Sequence, residues 1–286
     1  MISSIPQSRT FRGIYAAYVS LFFIYLVVPL VVVAVFAFND SLFPSLPWKG
    51  FTLDWFFNDT EPRLGVFHDR GILKGVGVSL FVAFWVTVLS LFVGTCNAFL
   101  FERNSFPFKN VLYVMALLPL VIPGIILGIS ILVFSNSLVN GVEDLLGWEL
   151  EFLRPGLVLV ILGQFSFITT ISTLVISARL RKFDLSLEEA ALNLGASKMT
   201  AVWTITIPYL KPALVGAGIV AFLMSFENFN TTLMLVASDS PLTITMFDRL
   251  REGSTPALNA ISLLLMIVSA ILAFISILVQ REKGVK

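Results

Sequence analysis

Long apolar stretches separated by short charged segments dominate the chain. Five stretches of 24 to 33 residues contain no Lys, Arg, Asp or Glu: 13–39, 75–101, 110–142, 155–178 and 253–280. A sixth, 212–237, carries Glu227 as its one charge. An α-helix needs about 20 apolar residues to cross the hydrocarbon of a bilayer. The pattern therefore predicts six transmembrane helices, at about 14–38, 76–101, 111–135, 156–178, 210–237 and 258–280.

These stretches do not alternate apolar and polar residues, as the strands of a membrane β-barrel would. An all-α integral membrane protein is the expected fold class. The first stretch is longer than the apolar core of a cleaved signal peptide, so we expect an uncleaved signal anchor. The predicted organisation is an anchor helix with an outer loop over residues 1–72, followed by a helical core over 73–280.

The charged residues predict an orientation for the helices. With the N-terminus inside, the inner segments hold 12 Lys and Arg against 5 Asp and Glu, and the outer segments hold 7 against 13. Positive residues concentrate on the cytoplasmic side of membrane proteins. Both termini are therefore expected in the cytoplasm.

Composition narrows the classes of function. The chain is 57% hydrophobic and 13% charged, with a net charge of +1, one Cys and one His. Soluble domains are less apolar and carry about 25% charged residues. A soluble enzyme, a disordered chain, a nucleic-acid binder and a disulfide framework are excluded on these grounds. We predict no catalytic residues and no metal site, which also disfavours an integral membrane enzyme.

Two features interrupt the apolar pattern. The third stretch contains Pro119 and the pair Pro123–Gly124, which break helical hydrogen bonding. This break indicates either a kinked packing helix or a helix that lines a translocation path. Gly124 and Gly128 also form a small-residue pair that allows another helix to approach closely.

The second interruption is Glu227, which lies in a polar island with Asn228 and Asn230. A charged residue in a membrane span costs about 2.5–3.5 kcal/mol on insertion scales. Counting from Lys211, Glu227 falls in the outer half of the predicted helix. It is either a structural carboxylate or a group that contacts a cationic solute in the path.

The longest inner segment, 179–208, predicts a short helix. Ser186 with Glu189 three residues later has the spacing of a capping box, and Gly195 can end the helix in a left-handed conformation. One face collects the small and apolar side chains Leu187, Ala190, Ala191 and Leu194. A membrane-surface helix and a helix that docks on a partner fit this pattern equally well.

The same segment carries Glu189–Ala190–Ala191, Gly195 and Ile205-x-Ile207–Pro208. This spacing resembles the EAA motif of ABC-importer permeases, with Ile207 where the family usually has Leu. The resemblance implies the type-1, MetI-like fold of six helices, in which this loop docks on the ATPase subunit. It assigns ATPase coupling to Ser186, Glu189, Ala190, Ala191, Gly195 and Pro208.

Further segments resemble the C-type permeases of spermidine and putrescine importers: 38–41, 48–52, 181–184 and Asn259–Ala260. This resemblance implies a polyamine as solute and a substrate path that includes Glu227, Asn228 and Asn230. Some relatives in the family carry a second acid where this chain has Asn228. Ferric iron or an oxyanion is the alternative on the same scaffold.

The resemblance also implies the partners of the chain: a second, paralogous permease subunit, two ATPase subunits and a periplasmic or lipid-anchored solute-binding protein. The sequence has no Gly-x4-Gly-Lys-Ser/Thr run, so we expect ATP and Mg²⁺ on the partner ATPase and no cofactor on this chain. The resemblance further implies that the helices lie in the lipid of a bacterial inner membrane. A stand-alone carrier or channel is the competing class, but the chain shows no clear internal repeat.

Overall fold

The computed structural model describes residues 8–44, 46–253 and 255–280, and the chain in these ranges is almost entirely helical. Twelve α-helices follow one another along the described residues: α1 (Arg9–Phe36), α2 (Asp54–Phe57), α3 (Arg70–Arg103), α4 (Lys109–Val121), α5 (Gly124–Leu146), α6 (Leu157–Leu180), α7 (Ser186–Asn193), α8 (Lys198–Ala201), α9 (Ile207–Phe226), α10 (Asn230–Leu235), α11 (Leu242–Glu252) and α12 (Pro256–Gln280). A 3₁₀ helix covers Glu151–Leu153, and a π-helical segment, Val202–Thr206, joins α8 to α9.

Within the described ranges, six helical runs are long and apolar enough to cross a membrane. They are α1, α3, α5, α6, the run Lys198–Phe226 and α12 as far as Leu278. The shortest have 23 residues, or about 35 Å of helix, which exceeds the ~30 Å of hydrocarbon in a bilayer. The predicted number of six membrane helices is confirmed.

The third predicted helix, 111–135, is two helices. α4 ends at Val121 and α5 starts at Gly124. Ile122 between them is extended, at φ −74° and ψ 130°, because the ring of Pro123 disfavours helical backbone in the residue before it. The predicted break is confirmed at Pro123–Gly124, whereas Pro119 was wrongly predicted as a break and lies inside α4. By length and composition, the candidate membrane span is α5.

The fifth predicted helix, 210–237, has the wrong bounds. The helical run starts twelve residues earlier, at Lys198, and ends at Phe226. Glu227 is the C-cap residue, and a new short helix, α10, starts at Asn230. Hydropathy alone did not reveal this end because the residues after the break are apolar again.

The chain forms two compact units. One comprises the described residues of Met1–Arg70 and Arg249–Ile267, and the other those of Gly71–Asp248 and Val268–Lys286. In the first unit no residue of α1 is buried. Its loop is organised around Trp55, which is 1% exposed and donates its indole N–H to Asn39 O at 2.9 Å.

Ion pairs between side chains also connect segments of the first unit. Arg63 forms ion pairs with Asp54, at 3.1 Å, and with Asp40. The hydrogen bond that Arg63 donates to the Asp54 carboxylate is the largest influence raising the pKa of Arg63 above its ordinary value. Buried Asp69 pairs with Arg249 through both carboxylate oxygens.

α6 lies at the centre of the second unit. In the most apolar 18-residue segment of α6, 61% of the residues are buried, more than in any other span among the described residues. Small residues bring the helices close: a Cβ placed on Gly94 of α3 would lie 2.8 Å from Ser172 Cβ of α6. The apolar core of this region combines Val86, Ile168 and Ala221 with neighbours from α3 and α6 and with Leu235 of α10. α6 is therefore the scaffold on which the interrupted helices pack.

Candidate functional site

The two helix breaks meet at one cavity in the second unit. The cavity has a volume of about 230 Å³ and is lined by Pro119, Leu120, Ile122, Gly124, Leu127, Phe167, Met224, Asn228, Asn230 and Thr231. Residues on both sides of the α4–α5 break and on both sides of the α9–α10 break contribute to this wall. Non-helical backbone at membrane depth is tolerated where it is buried in protein or lines a cavity. The interrupted backbone and the cavity thus belong to one site.

Close packing of α5 on α10 holds the breaks together. A Cβ on Gly124 would lie 3.1 Å from Asn230 Cβ, and one on Gly128 would lie 3.0 Å from Met234 Cβ. Thr231 Oγ1 donates to Gly124 O at 3.3 Å. Gly124 and Gly128 allow the close approach that the small-residue spacing predicted. A larger side chain at either position would push α10 away.

A buried polar network supports the second break. Gln164 of α6, which is 1% exposed, donates from Nε2 to Thr232 Oγ1 at 2.8 Å. Its Oε1 accepts a hydrogen bond from Ser225 Oγ, in the last turn of α9. The Gln164 amide thereby links α6 to α9 and to α10, the two helices that flank the break. Sequence analysis missed Gln164; the available signal was an amide inside the apolar stretch 155–178, since buried amides in membranes bind other helices.

Asn228 is both a wall of the cavity and a helix cap. Its Oδ1 accepts from the backbone N of Thr232 at 3.2 Å and from Thr232 Oγ1 at 2.9 Å. Its backbone carbonyl accepts from Thr243 Oγ1 at 3.0 Å. The side-chain oxygen satisfies an N–H at the start of α10 that has no intrahelical partner. Asn228 therefore fixes the geometry of the break.

The three predicted path residues occupy different positions. Asn228 and Asn230 line the cavity, and Asn230 is exposed. Glu227 is exposed at the end of α9 and is not among the described residues that line the cavity. The expectation that Glu227 lies inside a helix is wrong, because the helix ends at Phe226. Pro119 and Gly124 line the cavity, whereas Pro123 supplies the turn before α5.

The predicted loop helix is present as α7, with eight residues from Ser186 to Asn193. The predicted capping box of Ser186 and Glu189 is wrong. Ser186 is the first helical residue, and the capping acceptor is the carboxylate of Asp184, at 3.0 Å from Ser186 N. Hydrogen bonds from the hydroxyl and the N–H of Ser186 lower the pKa of Asp184. The Asp184 carboxylate accepts the Ser186 N–H, which in a capping box the Glu189 side chain would accept.

Gly195 ends α7 as predicted. Its φ is +91°, in the region that favours glycine. The N–H of Gly195 donates to Leu192 O at 2.9 Å, and that of Ala196 donates to Ala191 O at 3.0 Å. These two bonds form a Schellman motif. The chain therefore changes direction at Gly195, directly after α7.

Glu188 fastens α7 to the rest of the unit, whereas Glu189 is exposed. The Glu188 carboxylate pairs with Arg103 at the end of α3, at 3.1 Å, and accepts a hydrogen bond from Thr206 Oγ1. The Arg103 guanidinium also lies 5.2 Å from the centre of the Phe183 ring. Sequence analysis missed this contact because 85 residues separate Arg103 from Glu188.

The solvent-exposed face of the loop that carries α7 is apolar. Leu187 is 50% exposed and Leu194 is 89% exposed, and Ala190 beside them is also exposed. Trp203 of the π-helical segment is 63% exposed. Exposed apolar side chains grouped in this way mark a surface that binds a protein or a membrane.

Pro208 connects the loop to the membrane helix. It lies in the first turn of α9, directly after the π-helical segment. Ile207 N donates to Val202 O, five residues back, so the widened turn precedes the residue that has no N–H. π-Helical turns occur frequently at functional sites. One continuous helical run thus leads from the loop to the break at Glu227.

Comparison with known proteins agrees with this arrangement. Residues 87–281 match the family model described as "Binding-protein-dependent transport system inner membrane component". The putrescine transport system permease protein PotI of Escherichia coli K12 is 28% identical over 266 residues, covering 91% of this chain and 89% of that protein. The spermidine/putrescine transport system permease protein PotC of Haemophilus influenzae is 27% identical over 270 residues, covering 94% and 96%.

A solved structure of a bacterial ABC transporter involved in alginate import superposes with a TM-score of 0.70, at 14% identity and 96% coverage of both chains. At this identity the match establishes the fold. The family match covers more than half of the chain and includes the loop, both helix breaks and the cavity. The chain therefore belongs to the inner-membrane permeases of binding-protein-dependent ABC importers.

Proposed function

We propose that this permease forms half of the translocation path of an importer for a polyamine such as putrescine or spermidine. The observation that carries the proposal is the meeting of two helix breaks at one cavity. At a break in a helix some backbone carbonyls lack an intrahelical hydrogen bond. These carbonyls and nearby amide side chains can therefore contact a solute. The names of the relatives, which cover most of the chain, favour a polyamine.

The chemistry of the cavity suits transient contact with ammonium groups. Asn228, Asn230 and Thr231 contribute amide and hydroxyl groups, and the described lining contains no carboxylate. A transport site must bind weakly enough to release its solute. Neutral oxygen acceptors provide weaker attraction for a cation than buried carboxylates would. Glu227, exposed beside the cavity at the end of α9, would attract cations towards it.

We further infer that α7 is the surface that transmits ATP hydrolysis. Its exposed apolar face, with Leu187, Ala190 and Leu194, would enter a groove on a separate ATPase subunit, which binds ATP and Mg²⁺. A movement of α7 would reach α3 through the Glu188–Arg103 ion pair. It would reach α9 through the continuous helical run that contains Pro208. This model requires the loop and both termini to lie in the cytoplasm, as the charge distribution predicts.

The complete importer in this proposal contains a second permease subunit, two ATPases and an external solute-binding protein. The test uses that complex in proteoliposomes, with labelled putrescine or spermidine supplied together with the binding protein. We expect ATP-dependent accumulation that unlabelled polyamine suppresses. Absence of both accumulation and polyamine-stimulated ATP hydrolysis would contradict a polyamine as solute. The same assay with ferric iron or an oxyanion would then identify the alternative.

Asn230 provides a direct test of the cavity. Asn230→Leu keeps a similar side-chain volume but removes the amide, so we expect a higher KM for uptake per assembled complex. Asn140→Leu changes an exposed asparagine on α5 outside the described cavity lining and is the matched control. Equal uptake kinetics for the two variants would exclude Asn230 from the path.

A further inference from the structure

A second pocket, between the end of α6 and the start of α9, combines cationic and apolar walls. It has a volume of about 200 Å³ and is lined by Val175, Ala178, Arg179, Lys182, Pro212 and Ala213. It shares no lining residue with the cavity at the helix breaks. Lys211, exposed and adjacent to Pro212, adds a third positive charge nearby. None of these residues belongs to the coupling motif.

The length of α6 places the pocket near the headgroup level of a bilayer. α6 has 24 residues, or about 36 Å of helix, so its last turn extends beyond the ~30 Å of hydrocarbon. Arg179 is in this last turn, and Lys182 follows it. Val175 lies one turn earlier, about 6 Å deeper along the helix. The cationic side chains therefore lie at the interface, and the alkyl wall lies on the hydrocarbon side.

Local contacts orient the arginine. The Arg179 guanidinium lies 4.2 Å from the centre of the Tyr209 ring, and its Nε–H donates to Tyr209 O at 3.4 Å. Stacking on an aromatic ring restricts the long side chain, which reduces the entropy lost when a ligand binds.

Backbone N–H groups satisfy three of the last four carbonyls of α6. The carbonyls of Ser177, Arg179 and Leu180 accept from the backbone N–H groups of the three residues 181–183, at 2.9 to 3.1 Å. Arg181 forms its ion pair with Glu102, at 2.8 Å. Capping of these three carbonyls therefore does not account for the cations that line this pocket.

We propose that this pocket binds one anionic phospholipid. Its phosphate contacts Arg179 and Lys182, while the glycerol and the first acyl methylenes pack on Val175 and Ala178. Basic pockets between membrane helices bind anionic headgroups in this way, and each nearby Lys or Arg strengthens binding to an anionic lipid surface. The bound lipid would hold the end of α6 against the start of α9.

The test measures lipid retention by the purified full-length chain in its complex, using native mass spectrometry. Phosphatidylglycerol and phosphatidylcholine are supplied at equal concentration. We expect selective retention of phosphatidylglycerol and about a fivefold loss of affinity in Lys182→Gln, the contribution of one cation near an anionic surface. Lys198→Gln removes an exposed charge on α8, outside the described pocket lining, and should retain wild-type affinity.

Ala178→Leu tests the pocket itself. Ala178 is exposed, so a larger side chain fills the site without disturbing buried packing. We expect this variant to lose phosphatidylglycerol although its charge is unchanged. Retention of the lipid in Ala178→Leu, or equal loss in Lys198→Gln, would overturn the proposal in favour of general surface attraction. Displacement of the lipid by equimolar inorganic phosphate would likewise overturn it, because a free-anion site needs no acyl contacts.

Discussion

Gly128→Leu tests whether the contact between α5 and α10 determines transport. A Cβ at position 128 would lie 3.0 Å from Met234 Cβ and 3.1 Å from Thr231 O. Both distances are tighter than ordinary van der Waals contact, and Thr231 O is a backbone atom that a rotamer change cannot move. The rest of the leucine side chain must displace α10. Overpacking of this kind costs about 1–3 kcal/mol.

That free energy corresponds to a roughly 5- to 150-fold smaller population of the docked α5–α10 arrangement. We expect uptake per assembled complex to fall by a comparable factor. The matched control is Gly141→Leu, on the same helix, because a Cβ there has no neighbour within 4 Å. This control should match wild type or be slightly more stable, since glycine costs about 0.5–1 kcal/mol in a helix.

The assay for this prediction is ATP-dependent uptake in proteoliposomes, normalised to assembled complex, with thermal unfolding of the same samples. Equal normalised uptake in Gly128→Leu and Gly141→Leu would refute the reasoning. A Gly128→Leu complex that assembles but transports poorly would support it.

Three further predictions concern the loop and Glu227. Gly195→Val should abolish coupled uptake while the protein still inserts, because φ +91° strains a β-branched residue; normal polyamine-stimulated ATP hydrolysis in this variant would contradict a coupling role. Glu188→Gln should weaken the contact with Arg103 and lower uptake more than Glu189→Gln, whose side chain is exposed; equal kinetics would show that the contact is not used. Glu227→Gln should raise the KM for polyamine, and the effect should shrink at high salt because screening already weakens exposed charges; an unchanged KM at low salt would remove Glu227 from solute attraction.

Local signals were predictable from the sequence. The apolar stretches gave the number of spans because membrane insertion depends on length and hydropathy. Gly195 was predictable because a helix end needs a left-handed residue at a fixed place. The Pro123 break followed from the proline ring and the restriction on Ile122. These features depend on a few neighbouring residues.

Features that depend on distant contacts were not predictable. The capping box was predicted from the Ser186–Glu189 spacing alone, and in the structure the Asp184 carboxylate accepts the Ser186 N–H instead. The bonds of Gln164 to Ser225 and Thr232 join residues 61 and 68 positions apart. The end of α9 at Phe226 was missed because periodicity and hydropathy do not distinguish a break from a continuous apolar helix. Tertiary contacts determine each of these positions.

The most direct test of the central claim, that the cavity between the helix breaks lies on the transport path, is thiol modification at position 230. Cys96, the only cysteine, is first replaced in Cys96→Ser, and Asn230→Cys is added. A small cationic thiol reagent should then block uptake, and saturating polyamine with ATP should slow the modification. Asn140→Cys in the same background should react without loss of uptake. Full uptake after complete modification of Asn230→Cys would contradict the account.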